Sequence, residues 1–207
     1  MNKINYQKEL DKIIEQNVRE DRVPSLLLHS CCAPCSSYTI EYLSQYFKIT
    51  VLYYNPNISP KSEKRKSEQL RLIDEMKTKY PVSFLDCDYD YDEFLNIAKG
   101  YETCKEGGER CFRCYRLRLE RTAILAKNNA FDFFCTTLSI SPLKNSQKIN
   151  EIGFELEKKY GIKWLPSDFK KKEGYKRSIV LSKEYNLYRQ NFCGCAFSKA
   201  ESIENKE

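Results

Sequence analysis

The chain alternates short apolar runs with longer segments in which apolar residues recur at helical spacing. Ser25 to His29 reads as a buried strand, because its apolar centre is continuous and too short for a helix. Further strands are predicted at 49–54, 82–85, 131–136 and 162–165. Helices are predicted at 5–18, 36–47, 59–80, 92–99, 110–129 and 146–160. This alternation predicts an α/β protein with a mainly parallel five-stranded sheet flanked by helices.

The length of 207 residues fits one α/β domain. Within 1–207 we expect an N-terminal helix in 1–22, an α/β core in 23–166 and a helical, cysteine-containing segment in 167–207 that covers the site. Ligands of open parallel sheets bind beyond the carboxyl ends of the strands. Cys31 and Cys32 follow the first predicted strand directly, so the fold places them where a site is expected.

Cysteine usage becomes informative once the compartment is considered. No run approaches the roughly 18 apolar residues that span a bilayer, and Met1 to Glu20 lacks the apolar centre of a signal peptide. We therefore expect a cytoplasmic protein, in which ordinary thiols stay reduced. Ten cysteines then indicate metal binding or catalysis rather than structural disulfides.

Seven of these cysteines fall into three groups: Cys31, Cys32 and Cys35; Cys111 and Cys114; Cys193 and Cys195. A Cys-x-x-Cys pair presents two thiolates to one metal, and a second group completes the four ligands of Zn²⁺ or of a [4Fe-4S] cluster. Seven thiols exceed four. The surplus favours redox chemistry, which Zn²⁺ does not have, with a second metal or a reducible disulfide beside the first site.

The remaining candidates are less specific. Cys193 and Cys195, separated by Gly194, suit either a strained and reducible disulfide or a second-metal ligand pair. Cys135 lies in an apolar run that favours core packing, and we expect Cys87 and Cys104 to be inert. His29, the one histidine, ends a buried strand and is interpreted as a structural hydrogen-bonding residue.

The formal net charge of +6 is unevenly distributed, with a basic excess between Lys170 and Arg189. Basic side chains hold phosphates and aromatic rings stack on splayed bases, although a solvated helix face explains the same pattern. The candidate substrate-binding residues are Lys170, Lys171, Lys172, Tyr175, Lys176, Arg177 and Arg189. The chain has no phosphate-binding glycine pattern, and no Ser-Gly-Gly-x-Asp-Ser loop of ATP-dependent adenylating enzymes.

Four separated motifs, in order, resemble those of the cobalamin-independent epoxyqueuosine reductases. They are HSCCAPC from His29, GERCFRCYRLR from Gly108, TTLSISPLK from Thr136, and DFKKKEGY from Asp168 continuing to LYRQNFCGCAFS, which ends at Ser198. The resemblance covers about Ser25 to Ser198. It implies a HUP-like, that is Rossmann-like, α/β fold and a two-electron reduction of the epoxide of epoxyqueuosine in tRNA, which gives queuosine.

The resemblance also implies cofactors and partners. It assigns a [4Fe-4S] cluster to Cys31, Cys32, Cys111 and Cys114, and an additional iron beside it. Cys35, Cys193 and Cys195 are the candidate ligands of that second iron, and Cys193 and Cys195 are alternatively a catalytic redox pair. The implied partners are the anticodon loop of the tRNA and an external low-potential electron donor, with no membrane.

Two other functions remain open on the sequence. A [4Fe-4S]-dependent tRNA sulfur transferase would share the cluster and a basic surface but should need an ATP loop, which the sequence lacks. A non-catalytic Zn–thiolate RNA-binding protein would explain the thiols without turnover. Colour separates the last alternative, because a protein with an iron–sulfur cluster is brown and a zinc protein is colourless.

Overall fold

The architecture is a parallel sheet between helical layers, as given by a computed structural model that describes residues 4–58, 63–87, 90–190 and 193–204. The strands are β1 (Ser25–His29), β2 (Lys48–Tyr53), β3 (Ser83–Asp86), β4 (Phe133–Thr136) and β5 (Lys163–Trp164). Their order in the sheet is β3-β2-β1-β4-β5, and all neighbours are parallel. The predicted five-stranded α/β fold is therefore confirmed.

Eight α-helices lie within the described residues: α1 (Tyr6–Arg19), α2 (Ala33–Leu43), α3 (Glu63–Glu75), α4 (Tyr91–Ala98), α5 (Glu109–Asn128), α6 (Ser146–Tyr160), α7 (Gly174–Glu184) and α8 (Ala196–Glu204). A short 3₁₀ helix, Thr137–Ile140, follows β4 directly. The chain leaves β1 toward β2 on one side, whereas β4 lies on its other side, so strand order reverses between β1 and β4. Parallel sheets form their ligand sites at such a switch point.

The core forms around the central strand. Leu26, Leu27 and Leu28 have no exposed surface, because β1 lies between β2 and β4 and is covered by helices on both faces. At about 25 cal/mol per Å² of buried apolar surface, such residues contribute roughly 1.5–3 kcal/mol each. This core fixes the carboxyl ends of β1 and β4, which hold the site.

Two helices differ from prediction by more than one residue at an end: α2, whose last residue is Leu43 rather than Phe47, and α3. Helix α2 begins at Ala33 rather than Ser36, since Pro34 in the first turn needs no backbone N–H partner. Helix α3 ends at Glu75 rather than Tyr80, because Pro81 disfavours helical backbone at the preceding residue. The predicted beginning of that helix, at Ser59 and Pro60, lies outside the described residues.

The segment after β5 forms α7 and α8, and α7 packs on α2. Gly174 allows this contact, because a Cβ there would overlap the ring of Tyr38 and the carbonyl of Phe169. The Arg177 guanidinium also pairs with the Glu41 carboxylate of α2. The domain boundaries expected from the sequence stay a prediction. Among the described helices, none combines the length and apolarity needed to cross a bilayer.

Close packing of α6 on β5 gives a first testable prediction. A Cβ at Gly153 would overlap the buried indole of Trp164, whose Nε1 donates to Asn150 Oδ1 at 3.0 Å. Gly153→Ala should therefore lower the free energy of unfolding by about 1–3 kcal/mol, despite the roughly 1 kcal/mol that Ala gains in a helix. Urea unfolding measures the change. Lys158 is exposed on the same helix, so the free energy of unfolding of Lys158→Ala should stay within about 0.5 kcal/mol of the wild-type value. Equal stability of the two variants would contradict the prediction.

Candidate metal centre

Three thiols lie together directly after β1. Cys32 is the N-cap residue of α2, and Cys35 lies in the first turn of that helix. The sulfurs of Cys31, Cys32 and Cys35 all lie within 4.8 Å of one another, and Cys31 Sγ is 3.8 Å from Cys32 Sγ. We call these residues the first thiol group. The positive end of the α2 dipole favours thiolates there, and the thiolate is the metal-binding form.

Four more thiols form the second thiol group. Cys111 and Cys114 lie in the first turns of α5, and Cys193 and Cys195 lie in or next to the loop that precedes α8. All four line one small cavity, the thiol cavity. Cys193 also lines a larger cavity of about 270 Å³, the main cavity, together with all three members of the first thiol group. Cys193 therefore faces both groups.

Arg118 connects the two groups. This buried side chain of α5 lines both cavities. Burial by itself would lower the pKa of Arg118, but the thiols of Cys114, Cys31 and Cys193 outweigh it and raise that pKa. One guanidinium thus interacts with a thiol from each of the three sequence motifs. The structure brings all three motifs to one site.

A second cation, Lys144, lies in the same place and lines both cavities. Burial disfavours its charged form, yet the thiols of Cys193, Cys31 and Cys35 together raise the pKa of Lys144. Two positive charges therefore stand among thiols from all three motifs. Such an environment stabilises thiolates and an anionic metal–thiolate centre.

Each thiol group has one member whose ionised form is favoured. Hydrogen bonds from the Cys32 and Cys35 thiols, together with the nearby Lys144 and Arg118, hold the pKa of Cys31 well below its usual value. A hydrogen bond from Cys195, with the same two cations, does so for Cys193. The pKa values of the donating thiols shift in the opposite direction. Hydrogen bonding to Cys31 raises the pKa of Cys32 to about 12.

The pair on α5 has raised values of a different origin. Burial raises the pKa of Cys114 to about 11 and is the main cause of the raised pKa of Cys111. The Cys111 sulfur also accepts a hydrogen bond from the backbone N–H of Gly107 at 3.2 Å. Metal binding would therefore release protons from this pair.

His29 contacts Arg118 and helps to hold its guanidinium in place. Its Nδ1 lies 2.7 Å from Thr136 Oγ1, and its Nε2 lies 2.9 Å from the Tyr54 carbonyl and 3.2 Å from Arg118 Nε. Arg118 also donates to the side-chain carbonyl of Asn55. The ring is fully buried, which agrees with the structural role expected from the sequence.

The Cys-Gly-Cys segment is shaped by Arg65. Gly194 has a φ of +95°, and a Cβ there would overlap the Arg65 guanidinium. Arg65 Nη1 also donates to the Cys193 carbonyl at 3.5 Å. Ser198 holds the other side, since its Oγ accepts from the Cys193 N–H at 3.0 Å and its own N–H donates to Cys195 Sγ at 3.3 Å. Both thiols are thus fixed by backbone contacts.

The remaining cysteines lie outside the two thiol groups. Cys135 is fully buried in the core, as expected, and contacts the Leu165 carbonyl through its sulfur at 3.3 Å. The Cys87 sulfur accepts from Arg121 Nε at 3.3 Å. Cys104 lies in the loop before α5. All ten cysteines are free thiols.

The seven substrate-binding candidates separate into three sets. Tyr175 and Arg189 line the main cavity, and the Arg189 guanidinium lies 5.1 Å from the centre of the Tyr175 ring. Lys171 is exposed. The other four have carboxylate partners: Lys170 with Asp168, Lys172 with Asp11, Lys176 with Glu173, and Arg177 with Glu41 and Glu184. Their assignment to the substrate stays a prediction.

Sequence reasoning missed three charged residues of the site. Arg118 and Lys144 end two of the quoted motifs, so their positions within those motifs were the available signal. Glu106, which lines both cavities, had no comparable signal. Thiol donors in excess of four, with the buried Arg118 and the partly buried Lys144 beside them, fit an iron–sulfur cluster, since thiolates are its usual ligands.

Fold and site together define a Rossmann-like α/β protein with a thiol-rich candidate metal site at the sheet's switch point. A solved structure with a similar fold is the U34-tRNA thiolase NcsA from Methanococcus maripaludis with its [4Fe-4S] cluster. The TM-score is 0.50 at 14% identity, over 98% of this chain and 78% of that one. At that identity the likeness concerns the fold alone.

The family is shown by sequence. Residues 26–201 match the family model for the epoxyqueuosine reductase QueH, and the chain belongs to that family. The epoxyqueuosine reductase QueH of Staphylococcus epidermidis is 45% identical, over 95% of this chain and 85% of its own length. That of Streptococcus pyogenes is 44% identical, over 98% and 81%. That of Thermotoga maritima is 37% identical, over 87% and 93%. The predicted family, and with it an oxidoreductase class of enzyme, is confirmed.

The single histidine allows a direct test of the buried network. Burial, together with the charge of Arg118, lowers the pKa of His29 from 6.5 to about 3. In the metal-free protein the imidazole should stay neutral at pH 5, as read from its NMR chemical shifts. The unfolded chain binds a proton between pH 6.5 and 3 that the folded chain does not, so this group's contribution to stability is lost as pH falls through that range.

The control is the same protein in denaturant, where the histidine should titrate near its ordinary pKa of about 6.5. A midpoint above pH 5 in the folded protein would show that the His29 network is open to water and that the described contacts with Arg118 are wrong.

Proposed function

We propose that this chain reduces the epoxide of epoxyqueuosine in tRNA to the alkene of queuosine, using a [4Fe-4S] cluster. The observation that carries the proposal is the buried Arg118, which lines both cavities together with thiols of three motifs, the larger cavity being about 270 Å³. Family membership supplies the reaction. The site supplies thiols, buried positive charge and room for a small ring system next to them.

The reaction sets what the site must supply. Both C–O bonds of the epoxide break, a C=C bond forms, and the oxygen leaves as water, so two electrons and two protons are consumed. A bound iron–sulfur cluster passes electrons singly, so two deliveries from an external low-potential donor are needed. Because the electrons arrive through the metal centre, the chain must hold the epoxide beside that centre. It must also keep water away from the epoxide, since water would otherwise open the ring by hydrolysis.

For the cluster we propose Cys31, Cys32, Cys111 and Cys114 as ligands. This set takes two thiols from each thiol group, and one member of each pair, Cys31 and Cys114, interacts electrostatically with Arg118. Cys35, Cys193 and Cys195 are then left for an additional iron or, for the last two, a redox pair. Both thiols of the pair are free and line the thiol cavity, and Cys193 also lines the main cavity, which is compatible with either role.

The main cavity is the proposed entrance for the modified base. Tyr175, Tyr188 and Arg189 line it on the side of α7 and the loop that follows. Arg189 is held over the Tyr175 ring and by Ser182 Oγ, to which its Nη1 donates at 3.3 Å. Tyr188 is exposed, and the Lys64 ammonium lies 4.4 Å from the centre of its ring. Bases of single-stranded loops stack on such rings while nearby cations hold phosphates.

We further propose that the partner is the anticodon loop of the tRNA and that the enzyme works in the cytoplasm. Iron–sulfur chemistry and a low-potential donor both suit that reducing compartment. The sulfur transferase and the zinc protein gain no support from a particular contact of the site.

The function is tested by anaerobic turnover. Iron-loaded protein, a low-potential reductant and tRNA that carries epoxyqueuosine should yield queuosine in the tRNA, measured by mass spectrometry of the nucleosides. Protein reconstituted with zinc in place of iron is the control and should give no product, because Zn²⁺ has no redox chemistry. Absence of queuosine with the brown, iron-loaded protein would refute the proposed function.

The division of the thiols gives a further prediction. Ser at both Cys193 and Cys195 should preserve most of the broad visible absorbance of the cluster but abolish epoxide reduction. Ser at both Cys111 and Cys114 should remove the absorbance itself, because two of four ligands are lost. Visible spectra, iron content and turnover measure the three effects.

The control is Cys104→Ser, which changes a thiol outside both groups and should leave spectrum and turnover unchanged. Iron analysis separates the two roles of the C-terminal pair, since loss of a ligand pair removes the additional iron whereas loss of an electron relay does not. Loss of the whole cluster in the Cys193 and Cys195 double variant would contradict the assignment.

A further inference from the structure

Glu106 is a half-buried carboxylate with one oxygen engaged and one free. Its Oε2 accepts a hydrogen bond from Ser198 Oγ at 2.6 Å. Its Oε1 is shielded from solvent and has no hydrogen-bond partner among the described residues. A buried acceptor without a donor is destabilising, and more so when it is charged, so such an atom at a cavity wall indicates a ligand that supplies the donor.

The carboxylate is oriented by the same contacts that fix a thiol. The Ser198 hydroxyl accepts from the Cys193 N–H and donates to Glu106, so carboxylate and thiol are tied to one group. The backbone N–H of Glu106 donates to the Glu201 carboxylate at 2.9 Å. Residues of α8 thus fix the backbone and one carboxylate oxygen of Glu106, and the second oxygen, Oε1, is left without a partner at the cavity wall. Burial raises the pKa of this carboxyl, which agrees with the missing solvation.

Glu106 stands where the two cavities meet, since it lines both of them. Lys144 is near enough to attract it electrostatically but does not hydrogen-bond to Oε1. Of the described residues that line the main cavity, one other is a carboxylate, Glu68. Its Oε1 accepts from the Tyr188 N–H at 2.9 Å, and it does not line the thiol cavity. Glu106 is therefore the acid beside the thiols.

The substrate carries a matching cation. In epoxyqueuosine a secondary amine joins the methylene of the base to the ring carbon next to the epoxide, and this amine is protonated at neutral pH. A carboxylate that holds the amine must lie within a few ångströms of whatever acts on the epoxide. Glu106, tied to Cys193 through Ser198, satisfies that requirement.

We propose that Glu106 Oε1 accepts a hydrogen bond from the substrate's secondary ammonium and so positions the epoxide against the thiol-rich centre. This inference rests on the proposed function, because it takes epoxyqueuosine as the ligand. It makes Glu106 a specificity residue: tRNA with unmodified guanine has no ammonium to offer, and a buried carboxylate left unpaired disfavours its binding.

The test compares binding of two tRNAs to the iron-loaded enzyme, anaerobically and without reductant, so that no turnover occurs. The wild type should bind tRNA with epoxyqueuosine more tightly than the same tRNA with guanine at that position. Glu106→Gln keeps an oxygen for Ser198 and turns an amide N–H toward the cavity. It should weaken binding of the modified tRNA by about tenfold to a hundredfold, as expected for a lost charged hydrogen bond, and bind the guanine tRNA at least as tightly as the wild type, because no buried charge is then left unpaired.

Glu102→Gln is the matched control, since it removes the same charge from an exposed position in the same loop and should bind like the wild type. Iron content and cluster absorbance should be equal in all three proteins. A Glu106→Gln variant that keeps its preference for the modified tRNA would overturn the inference. So would loss of iron, which would make Glu106 a metal ligand, or equal weakening toward both tRNAs, which would make its role structural.

The two proposals fail in different ways. If the enzyme shows the Glu106-dependent preference but yields no queuosine when reductant is added, the proposed reduction is refuted and the proposed recognition by Glu106 is not. If the Glu106→Gln variant turns over normally and binds the modified tRNA with unchanged affinity, the proposed recognition by Glu106 is refuted and the proposed reduction is not.

Discussion

Buried positive charge is the condition on which this site depends. Thiolates removed from water are costly unless cations or hydrogen bonds compensate them, and here the thiols meet Arg118 and Lys144. The dependence is mutual, because a buried guanidinium is itself tolerated only with partners. Arg118 finds them in Cys114 on one side and in Asn55 and His29 on the other. The site is therefore one electrostatic unit rather than a set of separate ligands.

The parallel sheet determines where that unit forms. β1 ends at His29 and β4 at Thr136, and these two residues are register partners in neighbouring strands. Their side chains hydrogen-bond to each other, so part of the support for Arg118 is built from strand ends. The first thiol group begins two residues after β1, where the backbone turns into α2. An antiparallel sheet would place these ends at opposite edges.

The features that could be predicted from sequence are those with local causes. The apolar run of β1 and the alternation of strands and helices follow from periodicity, and the clustered cysteines indicated a metal site directly. Helix ends were less predictable, since Pro34 inside α2 and Pro81 after α3 act on single residues. Strand order was not specified by the pattern, because it depends on which strands pair across long stretches of chain.

Charged residues were the hardest to assign for the same reason. A run such as Lys170 to Lys172 gives a basic count, but the count does not reveal that Asp168 and Asp11 lie against two of its members. Arg118 appeared as one arginine of a basic helix and is instead fully enclosed. The environment of a charge is a tertiary property, so the sequence located the thiols and left their counter-charges unidentified.

The C-terminal segment shows why its motif extends beyond two cysteines. Gly194 must lack a side chain, because Arg65 occupies the space where a Cβ would lie. Ser198 must carry a hydroxyl, because that one group satisfies the Cys193 N–H and orients Glu106. The segment thus supplies thiols, and the same hydrogen bonds set the carboxylate at the meeting point of the two cavities. Displacing α8 would therefore disturb the C-terminal thiols and the Glu106 carboxylate together, which a pair of cysteines with no further contacts would not do.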